Sequence, residues 1–265
     1  MRGITVDGLS FSYPGGGNVL DGLSFSIPAG QFVAVAGPTG CGKTTLLSCL
    51  NGIVPRMVRG SYSGSEKTAG LAAAETPAEK FLGRVGFVFQ NPDAQIFALS
   101  VFDEVAFALR NMGFGEEETA RRVGRALCMV GLSGFEGRDP SLLSQGQKQK
   151  VCIASALAPD PQIIVLDEPV SSLDHRGACE IYSILAGLSK RGRTIVVAEH
   201  DSERLFCADR VVVLDSGKIA LDAPPLEAFS SPVFASLGLA VPCSVKIGKG
   251  LGRPAEALQK MVGQC

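Results

Sequence analysis

A glycine-rich stretch, Gly37 to Thr45, constrains this chain of 265 residues more than any other segment. It reads GPTGCGKTT and matches the pattern G-x-x-x-x-G-K-T. A short apolar, β-branched run precedes it and a run of good helix formers follows it, as a phosphate-binding loop between a strand and a helix requires. The residues predicted to hold phosphates are Gly37, Pro38, Thr39, Gly40, Cys41, Gly42, Lys43, Thr44 and Thr45.

The residue types in this loop have a direct physical reason. Glycines let the backbone curl so that successive N–H groups point at phosphate oxygens. The helix that begins near Lys43 adds the positive end of its dipole at the same place. Lys43 is predicted to place its charge on the β and γ phosphates, and the Thr44 hydroxyl is predicted to bind Mg²⁺. An ordinary glycine-rich turn is the weaker alternative.

A second segment supplies carboxylates. Gln162 to Leu166 is an apolar run that predicts a buried strand, and Asp167 and Glu168 follow it directly. Two carboxylates at the end of a strand, downstream of a phosphate loop, are typical of the second half of a Mg²⁺–nucleotide site. The alternative is a pair of solvated carboxylates without a functional role.

The order of the segments predicts an α/β fold. Strand-like and helix-like runs alternate from Gln31 onward, which is typical of a parallel sheet covered by helices. Before them, Ile4 to Tyr13 and Val19 to Ile27 predict a small antiparallel sheet, and Ser61 to Gly64 is predicted as a turn. The predicted fold is a P-loop NTPase core with a mostly parallel sheet and an N-terminal antiparallel β subdomain.

A helical subdomain is predicted inside this core. Lys43 and Asp167 are 124 residues apart, far more than the roughly 30 residues of one βαβ unit. The excess is mostly helical in pattern. We therefore predict a nucleotide-binding domain over residues 1–222 with a helical insertion at about 91–157, and a C-terminal extension over 223–265.

Composition narrows the class of protein. A net charge of −1 and a pI near 6.2 leave no basic field that would recruit nucleic acid. No apolar run approaches the roughly 20 residues of a membrane-spanning helix, and the N-terminus has no signal-peptide layout. Eight cysteines without a C-x-x-C pair, and only two histidines, argue for reduced, mostly buried thiols rather than zinc. A cytosolic chain with an apolar surface for a partner is expected.

The segments together resemble, in content and order, the nucleotide-binding subunits of ABC transporters. The resemblance covers about residues 4–222, and the run NPDAQIF is similar to that of energy-coupling-factor and cobalt-type importer ATPases. The segments that carry it are Tyr13, GPTGCGKT, Gln90, LSQGQ at Leu143 to Gln147, IIVLDEP at Ile163 to Pro169, SSLD at Ser171 to Asp174, and His200.

This resemblance implies roles for five residues in the hydrolysis of Mg²⁺-bound ATP. Glu168 polarises the attacking water and His200 contacts the γ-phosphate. Gln90 senses Mg²⁺ and the water while linking to a membrane partner. Asp167 holds Mg²⁺ through water, alongside Thr44. These roles agree with what phosphoryl transfer needs, namely an oriented water and neutralised charge.

The resemblance also implies how the nucleotide is held. Tyr13 stacks on adenine, and Asp174 crosses a dimer interface. Ser144, Gly146 and Gln147 begin a second helix whose N–H groups are ready for an anion, which suits the far side of a nucleotide held by another copy. The alternative for Ser144 is a simple helix cap.

Two positions depart from the family pattern. Gln145 stands where glycine is usual, which is expected to put a side chain at a crowded interface, and Glu199 stands where threonine is common. The choice between a homodimer and pairing with a different ATPase subunit therefore stays open.

Three functions are weighed. The first is the ATP-hydrolysing motor of a membrane importer, of energy-coupling-factor type for a vitamin or transition-metal ion. It would sit at the cytoplasmic face of the membrane with a second ATPase subunit and integral membrane subunits, without nucleic acid. The second is a soluble ABC-type ATPase of DNA repair or translation, and the third is a P-loop kinase or GTPase. The sequence does not identify the solute.

Overall fold

The computed structural model describes residues 3–243, 245 and 246. The strands are β1 (Ile4–Ser12), β2 (Asn18–Ile27), β3 (Phe32–Ala36), β4 (Ser61–Thr68), β5 (Val85–Val88), β6 (Ile163–Asp167), β7 (Thr194–Ala198), β8 (Arg210–Asp215) and β9 (Lys218–Ala223). The helices are α1 (Lys43–Leu50), α2 (Pro92–Gln95), α3 (Val101–Asn111), α4 (Glu116–Met129), α5 (Gln145–Leu157), α6 (His175–Lys190), α7 (Pro225–Ser230) and α8 (Pro232–Ser236).

A six-stranded sheet forms the centre of the molecule. Its strand order is β5-β6-β7-β3-β8-β9, with all neighbours parallel except β8 and β9. Every residue of β3, β6 and β7 is buried, as expected for parallel strands covered on both faces. The prediction of a P-loop core with a mostly parallel sheet is confirmed.

The residues of β3 show how the two faces are covered. Val33 and Val35 pack into a cluster with α1 and the N-terminal strands, whereas Phe32, Ala34 and Ala36 pack into a cluster with α3 to α7. Successive side chains of a strand point to opposite faces, so this one strand contributes to two cores. The carboxyl ends of the parallel strands are thereby left free to carry loops between the two layers.

The N-terminal sheet is antiparallel, as predicted, but it has a third strand. Its order is β2-β1-β4, and β4 includes Ser61 to Gly64, so the predicted turn there is wrong. The small residues serve a close approach at a register shift in β1: a Cβ on Gly64, whose φ is +81°, would lie 2.3 Å from Gly8 O. Serine and glycine therefore indicated a turn where the sheet needs a bulge.

Helices α2 to α5 lie between β5 and β6 in the chain, in the region predicted as a helical insertion. They pack on one another through α5, and their apolar residues join the core on one face of the sheet. After β9, helices α7 and α8 carry Phe229 and Phe234, and the Phe229 ring packs against both Phe206 and Phe234. The domain boundaries stay a prediction, and residues 244 and 247–265 of the predicted extension at 223–265 lie outside the described residues.

A buried carboxyl group in β4 gives the fold a testable pH dependence. Glu66 is buried and accepts hydrogen bonds from the Thr68 hydroxyl (2.8 Å) and the Ala73 N–H (2.9 Å). Burial raises its pKa from 4.5 to about 7. The unfolded chain releases this proton near pH 4.5 and the folded chain near pH 7, so Glu66 lowers stability as pH rises between them.

We expect Glu66→Gln to gain stability relative to the wild type by about 2 to 3 kcal/mol between pH 5 and pH 8. Urea unfolding of both proteins at each pH measures this change. Glu75→Gln, at an exposed position of the following segment, is the matched control. An equal difference between wild type and Glu66→Gln at both pH values would contradict the expectation.

Candidate nucleotide-binding site

A cleft of about 620 Å³ opens beside the carboxyl ends of β3, β6 and β7. It lies where ligands bind in open α/β sheets. Nine of its ten lining residues were predicted as site residues. The lining residues are Val19, Thr39, Gly40, Gly42, Lys43, Thr44, Thr45, Gln90, Glu168 and His200.

The loop between β3 and α1 forms the floor of this cleft. At Gly37, φ is +146° and a Cβ would lie 2.2 Å from Leu214 O, so only glycine fits there. Gly42 precedes α1 without any side-chain cap. Within the described residues the first N–H groups of α1 therefore have no side-chain partner, which leaves them available to an anion.

Lys43 is held in the loop. Its side chain is buried, and Nζ donates to Gly37 O at 2.8 Å and to Pro38 O at 3.1 Å. A lysine ammonium has three donors, so these two bonds leave one for a phosphate oxygen. Gly37, Pro38 and Cys41 form the inner side of the loop rather than the cleft wall, and burial raises the pKa of the Cys41 thiol.

Thr44 and Asp167 fit a hard divalent cation. The carboxylate of Asp167 is buried at the end of β6, and the exposed Thr44 hydroxyl lies close enough to act on its pKa. Burial raises the pKa of Asp167, and a bound cation would favour its ionised form. Protein side chains alone do not form a metal site here, because among the described residues no group of three or more His, Cys, Asp or Glu could hold a metal. This arrangement suits Mg²⁺, which binds one or two carboxylates together with phosphate oxygens.

The three residues predicted to be catalytic meet at one rim of the cleft. Gln90 Nε2 donates to Glu168 Oε2 at 2.9 Å, and His200 Nδ1 lies 3.5 Å from the same oxygen. Glu168 has a φ of +43°, an uncommon conformation for a residue that is not glycine. These residues come from the ends of β5, β6 and β7, so adjacent parallel strands bring them together.

Tyr13 lies close to α1. Among the described residues, it is not one of those that line the cleft. Its hydroxyl is 3.1 Å from Thr45 Oγ1, and its ring packs edge-on against Phe11 with centroids 5.0 Å apart. Val19 lines the cleft and was not predicted. Its only sequence signal is its place next to the glycine turn before β2.

A separate cleft of about 400 Å³ contains the predicted second anion site. Ser144 Oγ accepts the Gln147 N–H at 3.3 Å while Gln147 Oε1 accepts the Ser144 N–H at 3.0 Å, so the predicted cap is a full capping box. A Cβ at Gly146 would meet Leu173 Cδ2 at 3.8 Å, an ordinary van der Waals contact. Asp174 caps α6 by accepting the Gly177 N–H at 2.8 Å.

Gln145 makes a contact that its position in LSQGQ did not indicate. Its Nε2 donates to Asp93 Oδ2 at 2.8 Å, and Lys148 Nζ lies 2.7 Å from Asp93 Oδ1. The side chain is therefore engaged with α2 of its own chain. This contact joins the start of α5 to the segment that follows Gln90.

The fold and the cleft define a P-loop nucleotide-binding protein. A model of the family described as ABC transporter matches residues 20–171. An ABC transporter ATP-binding protein of Methanosarcina mazei is 45% identical over 94% of this chain, and the chain spans 44% of that relative's length. The energy-coupling factor transporter ATP-binding protein EcfA of Methanocaldococcus jannaschii is 42% identical over 84% of this chain and 79% of its own length.

Two solved structures of ABC transporter ATPases have folds similar to that of this chain. CbiO1 of Clostridium perfringens, part of the ABC transporter complex CbiONQ, is 33% identical, with a TM-score of 0.78 over 94% of this chain and 98% of its own. The ATP-binding cassette MJ0796, solved as a dimer in a post-hydrolysis state with ADP and Pi, is 26% identical, with a TM-score of 0.73 over 84% of this chain and 98% of its own. The chain belongs to the ATP-binding proteins of the ABC transporter family.

Proposed function

We propose that this chain hydrolyses ATP as the motor subunit of a membrane importer of the energy-coupling-factor type. The observation that carries the hydrolysis is the placement of Gln90, Glu168 and His200 at one rim of the phosphate-loop cleft. Glu168 orients and polarises the attacking water, Gln90 holds the Glu168 carboxylate, and His200 contacts the γ-phosphate. Each group is therefore near the phosphate that is to be transferred.

The phosphates would lie on the first turn of α1. Its free N–H groups and the buried Lys43 bind phosphate oxygens. Thr44 and Asp167 would hold Mg²⁺, which neutralises charge on the phosphates when it is bound. Tyr13 provides an aromatic face for adenine beside the same helix.

A second copy, or a related ATPase subunit, would complete the site. Ser144, Gly146 and Gln147 open α5 in a cleft separate from the phosphate loop of their own chain. The N–H groups at the start of α5 would therefore bind the phosphates of a nucleotide held on the phosphate loop of the other subunit. Asp174 lines the same cleft and would lie at the same interface. Dimeric structures of the cassette MJ0796 support this pairing.

An apolar surface near Gln90 suits a membrane partner. Phe97 is 63% exposed, Leu99 is 89% exposed, and the Phe97 ring packs edge-on against the half-exposed Phe107 at 4.8 Å. The buried Glu104 carboxylate accepts the N–H of Phe97 at 3.0 Å and fixes this loop. Exposed apolar side chains held in a defined position are typical of a docking surface. No helix within residues 3–243 and 245–246 could itself cross a membrane.

The surface defined by Phe97, Leu99 and Phe107 gives the test of the importer assignment. We expect Phe97→Ser with Leu99→Ser to abolish co-purification with the integral membrane subunits from detergent-solubilised membranes. ATP turnover of the isolated subunit should change by less than about twofold, because surface substitutions away from a site have small effects. Met57→Ser, at a residue 74% exposed elsewhere, is the control. Unchanged co-purification of the double variant would contradict the assignment.

The transported solute is proposed only as a class, a vitamin or a transition-metal ion. The support is the likeness to EcfA and to CbiO1. In this proposal the chain works at the cytoplasmic face of the membrane, with specificity residing in the membrane subunits.

A further inference from the structure

Glu199 occupies a fixed place at the edge of the cleft. It follows the last residue of β7 and immediately precedes His200. Its side chain is 1% exposed, and its N–H donates to Val35 O of the neighbouring strand β3 at 3.0 Å. The residue is thus part of the rigid sheet, whereas the His200 side chain is 58% exposed.

Three donors converge on the Glu199 carboxylate. Oε1 accepts the N–H of His200 at 2.8 Å and the N–H of Asp201 at 2.9 Å, and Oε2 accepts the Tyr182 hydroxyl at 2.6 Å. Hydrogen bonds to a carboxylate are stronger than those between neutral groups. The carboxylate therefore fixes the backbone of two successive residues, including His200.

Tyr182 gives this carboxylate a rigid support. It lies fully buried in α6, and its ring stacks on Phe32 of β3 at an interplanar angle of 10° with centroids 6.5 Å apart. The packing of the ring between helix and sheet holds its hydroxyl beside Glu199. A chain of contacts thus runs from the core to the backbone of His200.

Keeping a carboxylate at this position is costly. Burial raises the pKa of Glu199, which means that the ionised form is disfavoured relative to water. The three donors around it would otherwise be buried without acceptors, so the position needs acceptor oxygens. The neighbour that faces the cleft is His200, whose Nδ1 lies 3.6 Å from Glu199 Oε1 and 3.5 Å from Glu168 Oε2.

We propose that Glu199 is a positioning residue for ATP hydrolysis. Its carboxylate, held by Tyr182, fixes the backbone of His200 so that the imidazole stays beside Glu168. This inference rests on the proposed function, since it assigns Glu199 a part in the same reaction without contact to the nucleotide.

A kinetic cycle tests the proposal. We expect Glu199→Ala to lower kcat by about 10- to 100-fold, because a small misplacement has effects of this size, and to leave the KM for ATP within about threefold. Glu199→Gln should restore most of kcat, since its amide oxygen accepts both N–H groups and its NH₂ donates to the Tyr182 oxygen. In a His200→Ala background, Glu199→Ala should lower kcat no further.

The control is Glu66→Ala, which removes another buried carboxylate that accepts one hydroxyl and one backbone N–H. It should lower the melting temperature but not the kcat of the folded protein. The proposal would be overturned if Glu199→Ala left kcat as little changed as the control does. It would also be overturned if Glu199→Ala lowered kcat a further tenfold in the His200→Ala background.

A second readout does not need turnover. The chain has two histidines, His175 and His200, so ¹⁵N-histidine NMR gives two imidazole spin systems, each with two ring nitrogens, which a His175→Gln variant assigns. We expect Glu199→Ala and Tyr182→Phe to shift or broaden the His200 signal. If the wild type fails to hydrolyse ATP, the proposed function falls while this readout still decides the placement. A His200 signal unchanged in both variants would overturn the positioning role.

Discussion

Glu168→Gln should lower steady-state ATP turnover by about 10²- to 10⁴-fold, the range set by general-base catalysis, while ATP still binds. The amide keeps the size of the side chain and one oxygen that can accept the Gln90 N–H now donated to Oε2. It cannot polarise a water as a carboxylate does. This single substitution should therefore abolish the hydrolysis of ATP while leaving the binding of ATP intact.

Two measurements on Glu168→Gln are required. Phosphate release reports turnover, and titration with a fluorescent ATP analogue reports binding. If ATP held between two copies joins them and its cleavage releases them, this variant should also accumulate as a dimer with Mg²⁺-ATP, seen by light scattering. Glu227→Gln, exposed on α7, is the matched control. A loss of turnover of only about threefold is smaller than general-base catalysis supplies, and it would contradict the proposed role of Glu168.

Lys43→Ala should lower both ATP affinity and turnover, each by about 10²- to 10³-fold, as expected for loss of one preorganised charged donor. Nζ is buried in the loop and already oriented by Gly37 O and Pro38 O. Removing it leaves the phosphates facing N–H groups alone. The effect on affinity distinguishes this variant from Glu168→Gln.

Equilibrium binding of ATP to Lys43→Ala is the measurement, with Lys190→Ala at the exposed end of α6 as the control. Unfolding in urea should match the wild type closely enough to exclude loss of fold. An affinity for ATP unchanged from the control would mean that the phosphates lie elsewhere.

Much of the site was predictable because its chemistry is local in the chain. The phosphate loop needs glycine at position 37 because the backbone of Leu214 approaches closely there, and the nine-residue motif Gly37 to Thr45 shows this glycine directly. Asp167 and Glu168 end an apolar strand, and parallel strands end at one edge of a sheet. The meeting of Gln90, Glu168 and His200 follows from that rule and from the family resemblance.

The parts that were missed depend on contacts distant in sequence. Ser61 to Gly64 is polar and small, and only its pairing with β1 makes it a strand. The contact of Gln145 with Asp93 spans 52 residues and leaves no local pattern. Glu199 departs from the family pattern in the sequence alone, but its hydrogen bond from Tyr182 depends on the packing of α6 on the sheet.

The central claim is that one nucleotide lies between the phosphate loop of one copy and the start of α5 of another. Mixing two inactive variants tests it most directly. Lys43→Ala destroys the loop and leaves α5 intact. Gly146→Asp puts a negative charge in the second anion site, and its Cβ would meet Leu173 Cδ2 at 3.8 Å, an ordinary van der Waals distance.

Each variant alone should be nearly inactive. Their equimolar mixture should recover up to about a quarter of the wild-type rate, because half of randomly formed dimers are mixed and each mixed dimer has one intact site of two. A mixture no more active than its separate components would contradict the shared nucleotide.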